Sequence, residues 1–180
     1  MIRVLSLIGY RGTGKSTVGK RLARRLQWDW VDADNEIERR AGRTIKEIFA
    51  TDGEPVFRQM ERDVIADLLQ REYLVLSTGG GAILNAQTRN DLRTAGSVFW
   101  LVASVDTIAS RILQDATTSS RRPNLTTGGI QEIREVLAKR EPLYAECAHV
   151  TVNTEGLRLA EIVDRIVDQL PAGLSREVRP

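Results

Sequence analysis

Residues 9–16 of the chain read Gly-Tyr-Arg-Gly-Thr-Gly-Lys-Ser, the spacing G-x-x-x-x-G-K-[ST]. Glycines so placed let successive backbone N–H groups turn inward on phosphate oxygens, and the helix that follows adds the partial positive charge of its N-terminus. The segment Gly12, Thr13, Gly14, Lys15, Ser16 and Thr17 is therefore predicted to line a nucleoside triphosphate. Lys15 reaches the β- and γ-phosphates, and the Ser16 hydroxyl is a ligand for Mg²⁺.

Four further groups could act beside such a loop. Asp32-Ala33-Asp34 follows a short apolar segment at Trp28–Val31. In an extended chain residues two apart point the same way, so one carboxylate can serve the metal while the other accepts a substrate hydroxyl proton. Equally, Asp34 could cap the next helix and leave Asp32 exposed. The stretch "GEPVFRQME" places Glu54, Arg58 and Glu61 at helical spacing. That is either a solvated ion-pair ladder or a fork at Arg58 for an anionic group, oriented by Glu61. Arg122 falls in a polar stretch between helices, where an arginine can close over phosphates or belong to a plain surface loop. Finally, "LVLSTGGGAILN" ends an apolar run in Gly79, Gly80 and Gly81. Glycine forgoes packing and loses the most backbone entropy, so three in a row imply close approach to the main chain. The lysine and hydroxyl of a second phosphate loop are missing here.

Strand-like and helix-like segments alternate around these groups. Strands are predicted at Arg3–Ile8, Trp28–Val31, Tyr73–Ser77, Val98–Val102 and His149–Val152. Helices are predicted at Lys15–Leu26, Asn35–Ala41, Ile45–Ala50, Asn85–Ala95, near Val105–Leu113, at Ile130–Tyr144 and at Leu157–Leu170. A longer helix follows Pro55, with Val56, Met60, Val64 and Leu68 as its apolar side. Strands alternating with helices, and apolar throughout, call for one α/β domain with a mainly parallel sheet covered on both faces. That domain spans 1–170, with a loose tail at 171–180.

Composition excludes several classes. Lys+Arg 26 against Asp+Glu 24 gives a net charge of +2, with basic residues scattered apart from Lys20, Arg21, Arg24 and Arg25 on one helix face and the pair Arg121–Arg122, so nucleic acid is not an expected partner. The lone Cys147 offers neither a disulfide nor a metal cluster and is expected to be a buried inert thiol; the lone His149 is expected in a strand. No apolar run reaches membrane-spanning length, and the chain reads as cytoplasmic, with nothing that demands more than a monomer.

Taken together the motifs resemble the shikimate kinase family of P-loop kinases: "GYRGTGKSTVG", "DADNEIE", "GRTIKEIF", "GEPVFRQME", "TGGGAIL", "RRPNL" and "LAKREPLY", in the family's order. The resemblance implies a three-layer P-loop kinase fold with a five-stranded parallel sheet, acceptor-binding helices at about 33–61 and a lid at about 114–129. It implies transfer of the ATP γ-phosphoryl to the 3-hydroxyl of shikimate. By that likeness Asp34 holds the ring hydroxyls and takes the proton, Arg58 and Arg140 clamp the carboxylate, and Glu61 supports the arginine. Gly79, Gly80 and Gly81 form a bare wall against the ring, where any side chain would occupy the substrate's space. Ser16, with Asp32 through water, resembles the Mg²⁺ site; Arg111 and the Asn153–Leu157 loop resemble the adenine contacts. Arg122 resembles the lid arginine, with Asn124 standing where the family has an apolar anchor. Two other readings are a different small-metabolite kinase, such as a gluconate kinase, and a non-catalytic nucleotide-binding module. The first does not account for the glycine triplet together with Arg58 and Arg140, and the second does not account for Lys15, Ser16, Asp32, Asp34 and Arg122 together, since a binding module has no need of a hydroxyl-facing carboxylate.

Overall fold

Strand β1, Val4–Ile8, is buried at all five positions and so must be covered on both faces. The computed structural model, which describes residues 4–114 and 129–170, has β1 at the centre of a five-stranded sheet of order β2-β3-β1-β4-β5. Every pairing in it is parallel. The other strands are β2 (Asp29–Asp32), β3 (Leu74–Ser77), β4 (Gly96–Val102) and β5 (Val150–Asn153). Eight α-helices lie among the described residues: α1 (Lys15–Leu26), α2 (Ala33–Ala41), α3 (Ile45–Thr51), α4 (Gly53–Leu68), α5 (Ala86–Ala95), α6 (Val105–Gln114), α7 (Gly129–Cys147) and α8 (Leu159–Asp168).

Alternation along β1 divides the core in two. Leu5 and Leu7 face α1 and α8 through Val18, Leu22, Ile162 and Ile166. Val4 and Ile8 join a larger cluster with Ile37, Ile48, Phe57, Ile65, Leu92 and Tyr144, drawn from α2, α3, α4, α5 and α7. A third cluster of Tyr10, Ile108, Ala109 and Ile133 packs α6 and α7 against the loop after β1. This is the three-layer arrangement expected. No helix of the described residues is long and apolar enough to cross a membrane. Because β1 lies between β3 and β4, the chain reverses its direction of winding there, and a crevice opens beyond the strand ends.

All five expected strands are present, with shifted ends. Helix α4 begins at Gly53, ahead of Pro55, which sits in the first turn where its missing N–H costs nothing. Its buried stripe is Phe57, Glu61, Val64, Ile65 and Leu68, while Val56 is exposed. The larger Phe57 ring wins the core position, packing on Phe49 at 4.7 Å, and the helix is rotated from the expected face. That rotation buries Glu61. Helix α7 continues through Pro142 to Cys147, which is buried as expected. His149 precedes β5 rather than lying in it: its N–H donates to the Val98 carbonyl, and its Nδ1 accepts from the Val98 N–H at 3.1 Å. The expected lid and tail lie outside the described residues.

Candidate active site

The loop after β1 owes its shape to backbone that L side chains rarely adopt: φ is 139° at Gly9, 81° at Gly12 and 93° at Gly14. Thr13 tightens it, donating from its N–H at 3.3 Å and its hydroxyl at 2.8 Å to the Tyr10 carbonyl. Lys15 is 9% exposed, and its Nζ donates to the carbonyls of Gly9 at 2.8 Å and Tyr10 at 2.9 Å. The ammonium is thus held back over the loop rather than extended into solvent. Gly14 is the residue before α1, so the helix N-terminus opens directly onto the loop. From behind, Ser77 donates to the Lys15 carbonyl at 3.1 Å and accepts from Trp30 Nε1 at 3.1 Å. The end of β3 therefore pins the first turn of α1.

The two aspartates converge, though not by strand alternation. Asp32 is both the last residue of β2 and the cap of α2, accepting from the Asp34 N–H at 3.0 Å. Asp34 stands in the helix's first turn. The cap is therefore Asp32, and both residues line a cavity of about 610 Å³ together with the phosphate loop. Ser16 Oγ donates to Asp32 Oδ2 at 2.5 Å. Burial, and then the neighbouring Asp34, push the Asp32 carboxyl above its usual range, while Ser16 and Lys15 pull it down.

Thr78 and Gly80 also line this cavity, and Arg111, Leu157, Leu159 and Ile162 line it as well. Arg111 reaches the Gly12 carbonyl at 3.4 Å. Asn153 is not brought to the cavity: its Oδ1 accepts from the Glu155 N–H at 2.9 Å and closes a turn. An asparagine at a strand end satisfies its nearest backbone donor, and of the expected Asn153–Leu157 loop it is Leu157 that lines the cavity. Arg122 lies outside the described residues.

The glycine triplet joins the two sides of the site. A Cβ on Gly80 would come within 3.3 Å of the Arg11 backbone nitrogen, and one on Gly81 within 2.5 Å of Arg58 Nη1. What approaches the main chain at these two glycines is the protein itself, the phosphate loop at one and Arg58 at the other. Thr78 fastens the segment to β1, donating from its N–H at 3.1 Å and its hydroxyl at 3.2 Å to the Leu7 carbonyl. Gly79 turns the chain, its carbonyl accepting from Ala82 N–H at 3.1 Å. The Gly80 carbonyl accepts from Tyr144 Oη at 2.6 Å and Arg140 Nη1 at 3.4 Å. Arg58 donates to Glu61 at 2.7 Å and to Glu54 at 2.9 Å. Arg58 and Arg140 therefore meet the chain at adjacent residues.

The shikimate kinase family model matches residues 11–171. The chain belongs to the shikimate kinase family. It is 38% identical over 173 residues to a shikimate kinase of Rhodopirellula baltica, covering 96% of this chain and 92% of the relative. It is 42% identical over 170 residues to that of Francisella philomiragia, covering 92% and 94%. Among solved structures, the shikimate kinase of Acinetobacter baumannii in complex with shikimate superposes with a TM-score of 0.87 at 37% identity, covering 93% of this chain and 92% of that one. A gluconokinase of Sinorhizobium meliloti shares only the fold, at 19% identity and a TM-score of 0.54, covering 97% and 93%.

Two residues that hold this shikimate kinase site in place, Tyr144 and Ser77, escape a sequence reading. Tyr144 lies four residues after Arg140 and so on the same helix face, a spacing that could have found it. Ser77 is a fully buried hydroxyl ending an apolar strand, polar without a packing reason.

Proposed function

We infer that the chain transfers the γ-phosphoryl group of ATP to the 3-hydroxyl of shikimate, giving shikimate 3-phosphate and ADP. The observation that carries this reading is the junction at Gly80 and Gly81, with the phosphate loop on one side and Arg58 and Arg140 on the other. A small acceptor gripped by its carboxylate at the arginines would lie against the end of the triphosphate. Planar guanidinium groups suit that grip, since each presents paired N–H donors to a carboxylate. Asp34 shares the cavity with the loop and would select the hydroxyl. Its carboxylate takes the proton as the hydroxyl oxygen bonds the γ-phosphorus. The bond from that phosphorus to the β–γ bridging oxygen breaks, and ADP departs.

Lys15 offsets the charge that develops on the phosphates, and most of the acceleration comes from positioning. Ser16 and Asp32 form a hydroxyl–carboxylate pair at the helix N-terminus, a donor set of hard oxygens that fits Mg²⁺. Mg²⁺ bound there would neutralise phosphate charge. Arg122 is assigned to closure over the nucleotide.

A coupled ADP-release assay tests the reading across shikimate, gluconate and a nucleoside monophosphate. Turnover is expected with shikimate alone. Turnover with gluconate instead, or nucleotide binding with no acceptor-dependent ADP release, would replace it with one of the two rival readings.

A further inference from the structure

Arg58 has two carboxylate partners of unlike kind. Its Nη1 donates to Glu61 Oε2 at 2.7 Å, and that side chain is 3% exposed. Its Nε and Nη2 both donate to one oxygen, Oε1 of Glu54, at 3.1 and 2.9 Å, and the Glu54 side chain is 58% exposed. The Nε–Nη2 edge of a guanidinium presents two parallel N–H bonds, the geometry that receives a carboxylate oxygen by oxygen. Glu54 therefore covers a two-donor edge with a single acceptor. An arriving carboxylate could offer two.

The surroundings decide which partner can leave. A Cβ on Gly81 would lie 2.5 Å from Nη1 and 2.7 Å from Nη2, so the guanidinium rests directly against the main chain. Glu61 belongs to the buried stripe of α4 and holds the opposite nitrogen. Arg58 is thus fixed from behind and from one side, and Glu54 is the partner free to swing into water. Exposed ion pairs one helical turn apart are worth little, so the contact is easily given up.

We propose that Glu54 is a specificity-determining residue, an exchangeable carboxylate that occupies the binding edge of Arg58 until the acceptor's own carboxylate displaces it. The inference rests on the reading of Arg58 as the acceptor clamp. An acceptor with a carboxylate replaces one anionic partner of Arg58 by a better one. An acceptor without one must either leave Glu54 in place or strand the edge it covered. Glu54 thereby raises the affinity threshold for every acceptor, and only a carboxylate recovers the difference.

The test compares the wild-type protein with Glu54→Gln, varying shikimate at saturating ATP and ATP at saturating shikimate, with shikimate binding measured directly by calorimetry. Removing the competing charge should lower the shikimate KM and Kd by about two- to fivefold. The ratio of the shikimate KM to the ATP KM should fall with them. A residue that merely orients Arg58, or merely supports the helix, would move the shikimate KM the other way. A KM equal to or above that of the wild type overturns the proposal. Absence of shikimate turnover by the wild-type protein overturns the functional reading instead, so the two failures are distinguishable.

Discussion

The phosphate loop is held by main-chain contacts to itself and to the strands beside it, whereas Asp34, Arg58 and Arg140 are side chains on three separate helices. On the nucleotide side, Thr13 and Lys15 are 2% and 9% exposed, and their partners are backbone carbonyls. The loop that carries these carbonyls is anchored at both ends by β1 and α1, which contribute Leu5, Leu7, Val18 and Leu22 to the packed core. On the acceptor side, order comes from ion pairs along α2, α3 and α4: Arg40 with Asp67, Arg43 with Asp52, and Arg58 with Glu54 and Glu61. Such pairs can exchange partners at small cost where they are exposed. The nucleotide side is shaped by glycine backbone, with Lys15 and Ser16 added at the start of α1. Choice of acceptor is the adjustable part and is built from charged side chains.

The largest expected effect tests whether the halves can be separated. Asp34→Asn removes the proposed proton acceptor while keeping size and helix position, and should lower kcat by about 10²–10⁴-fold. Nucleotide affinity, followed by calorimetry with ADP, should stay within a small factor of wild type, because the hydrogen bonds of Thr13 and Lys15 to the Gly9 and Tyr10 carbonyls do not run through Asp34. Loss of nucleotide binding along with turnover would mean that the two sides form one cooperative unit.

The two glycines at the junction give a sharper probe. Gly81→Ala would press its methyl into the Arg58 guanidinium, the far end of a flexible side chain that can yield by moving off its productive position. The expected result is a rise of about tenfold or more in the shikimate KM, in line with the cost of misplacing a binding group by about 1 Å. Gly80→Ala presses instead on backbone, at 3.3 Å from the Arg11 nitrogen and 3.5 Å from the Gly9 carbonyl. It should act mainly on the ATP KM, by a smaller factor. Steady-state kinetics in both substrates would break the comparison if the two variants raised the same KM.

The sequence carries the nucleotide half almost completely, because a backbone site needs glycines at fixed spacing, and spacing is visible in one dimension. The acceptor half is legible only in its charged residues. Arg58, Glu61 and Arg140 stand out by type, yet the place of Arg58 against Gly81, and of Glu61 behind it, depends on the rotation of α4 about its axis. Apolar Val56 and Phe57 compete for one core position, and periodicity could not say which would win. Packing against Phe49 decides it, and the carboxylate of Glu61 is buried as a consequence. Asp32 shows the same limit, since alternation in a strand foretold its direction while the chain turns into α2 one residue later.

The smallest effects concern what each half spends on its carboxylate, and their signs should be opposite. Glu61 is buried but held by the Arg58 guanidinium at 2.7 Å. Glu61→Gln exchanges a charge-assisted contact for a neutral one and leaves the arginine half-buried, so it should destabilise the protein by about 1–3 kcal/mol at neutral pH. Asp32 is half-buried with a second carboxylate beside it, and together these raise its carboxyl above the usual range despite the hydroxyl partner. A folded-state pKa above the unfolded one means that the ionised form is the costly one. The cost is absent below the ordinary value of 3.8 and is complete once pH has risen through the raised value. Asp32→Asn keeps an equally good helix cap and removes the charge, so thermal unfolding at pH 7 should move to higher temperature. The gain should vanish in acid below the ordinary carboxylate range, where wild-type Asp32 is already neutral, while turnover falls because the oxygen pair proposed to hold Mg²⁺ is weakened. A lower unfolding temperature for Asp32→Asn at pH 7 would show that Ser16 and Lys15 stabilise the charge more than burial and Asp34 oppose it, and the two halves would then hold their carboxylates in the same way.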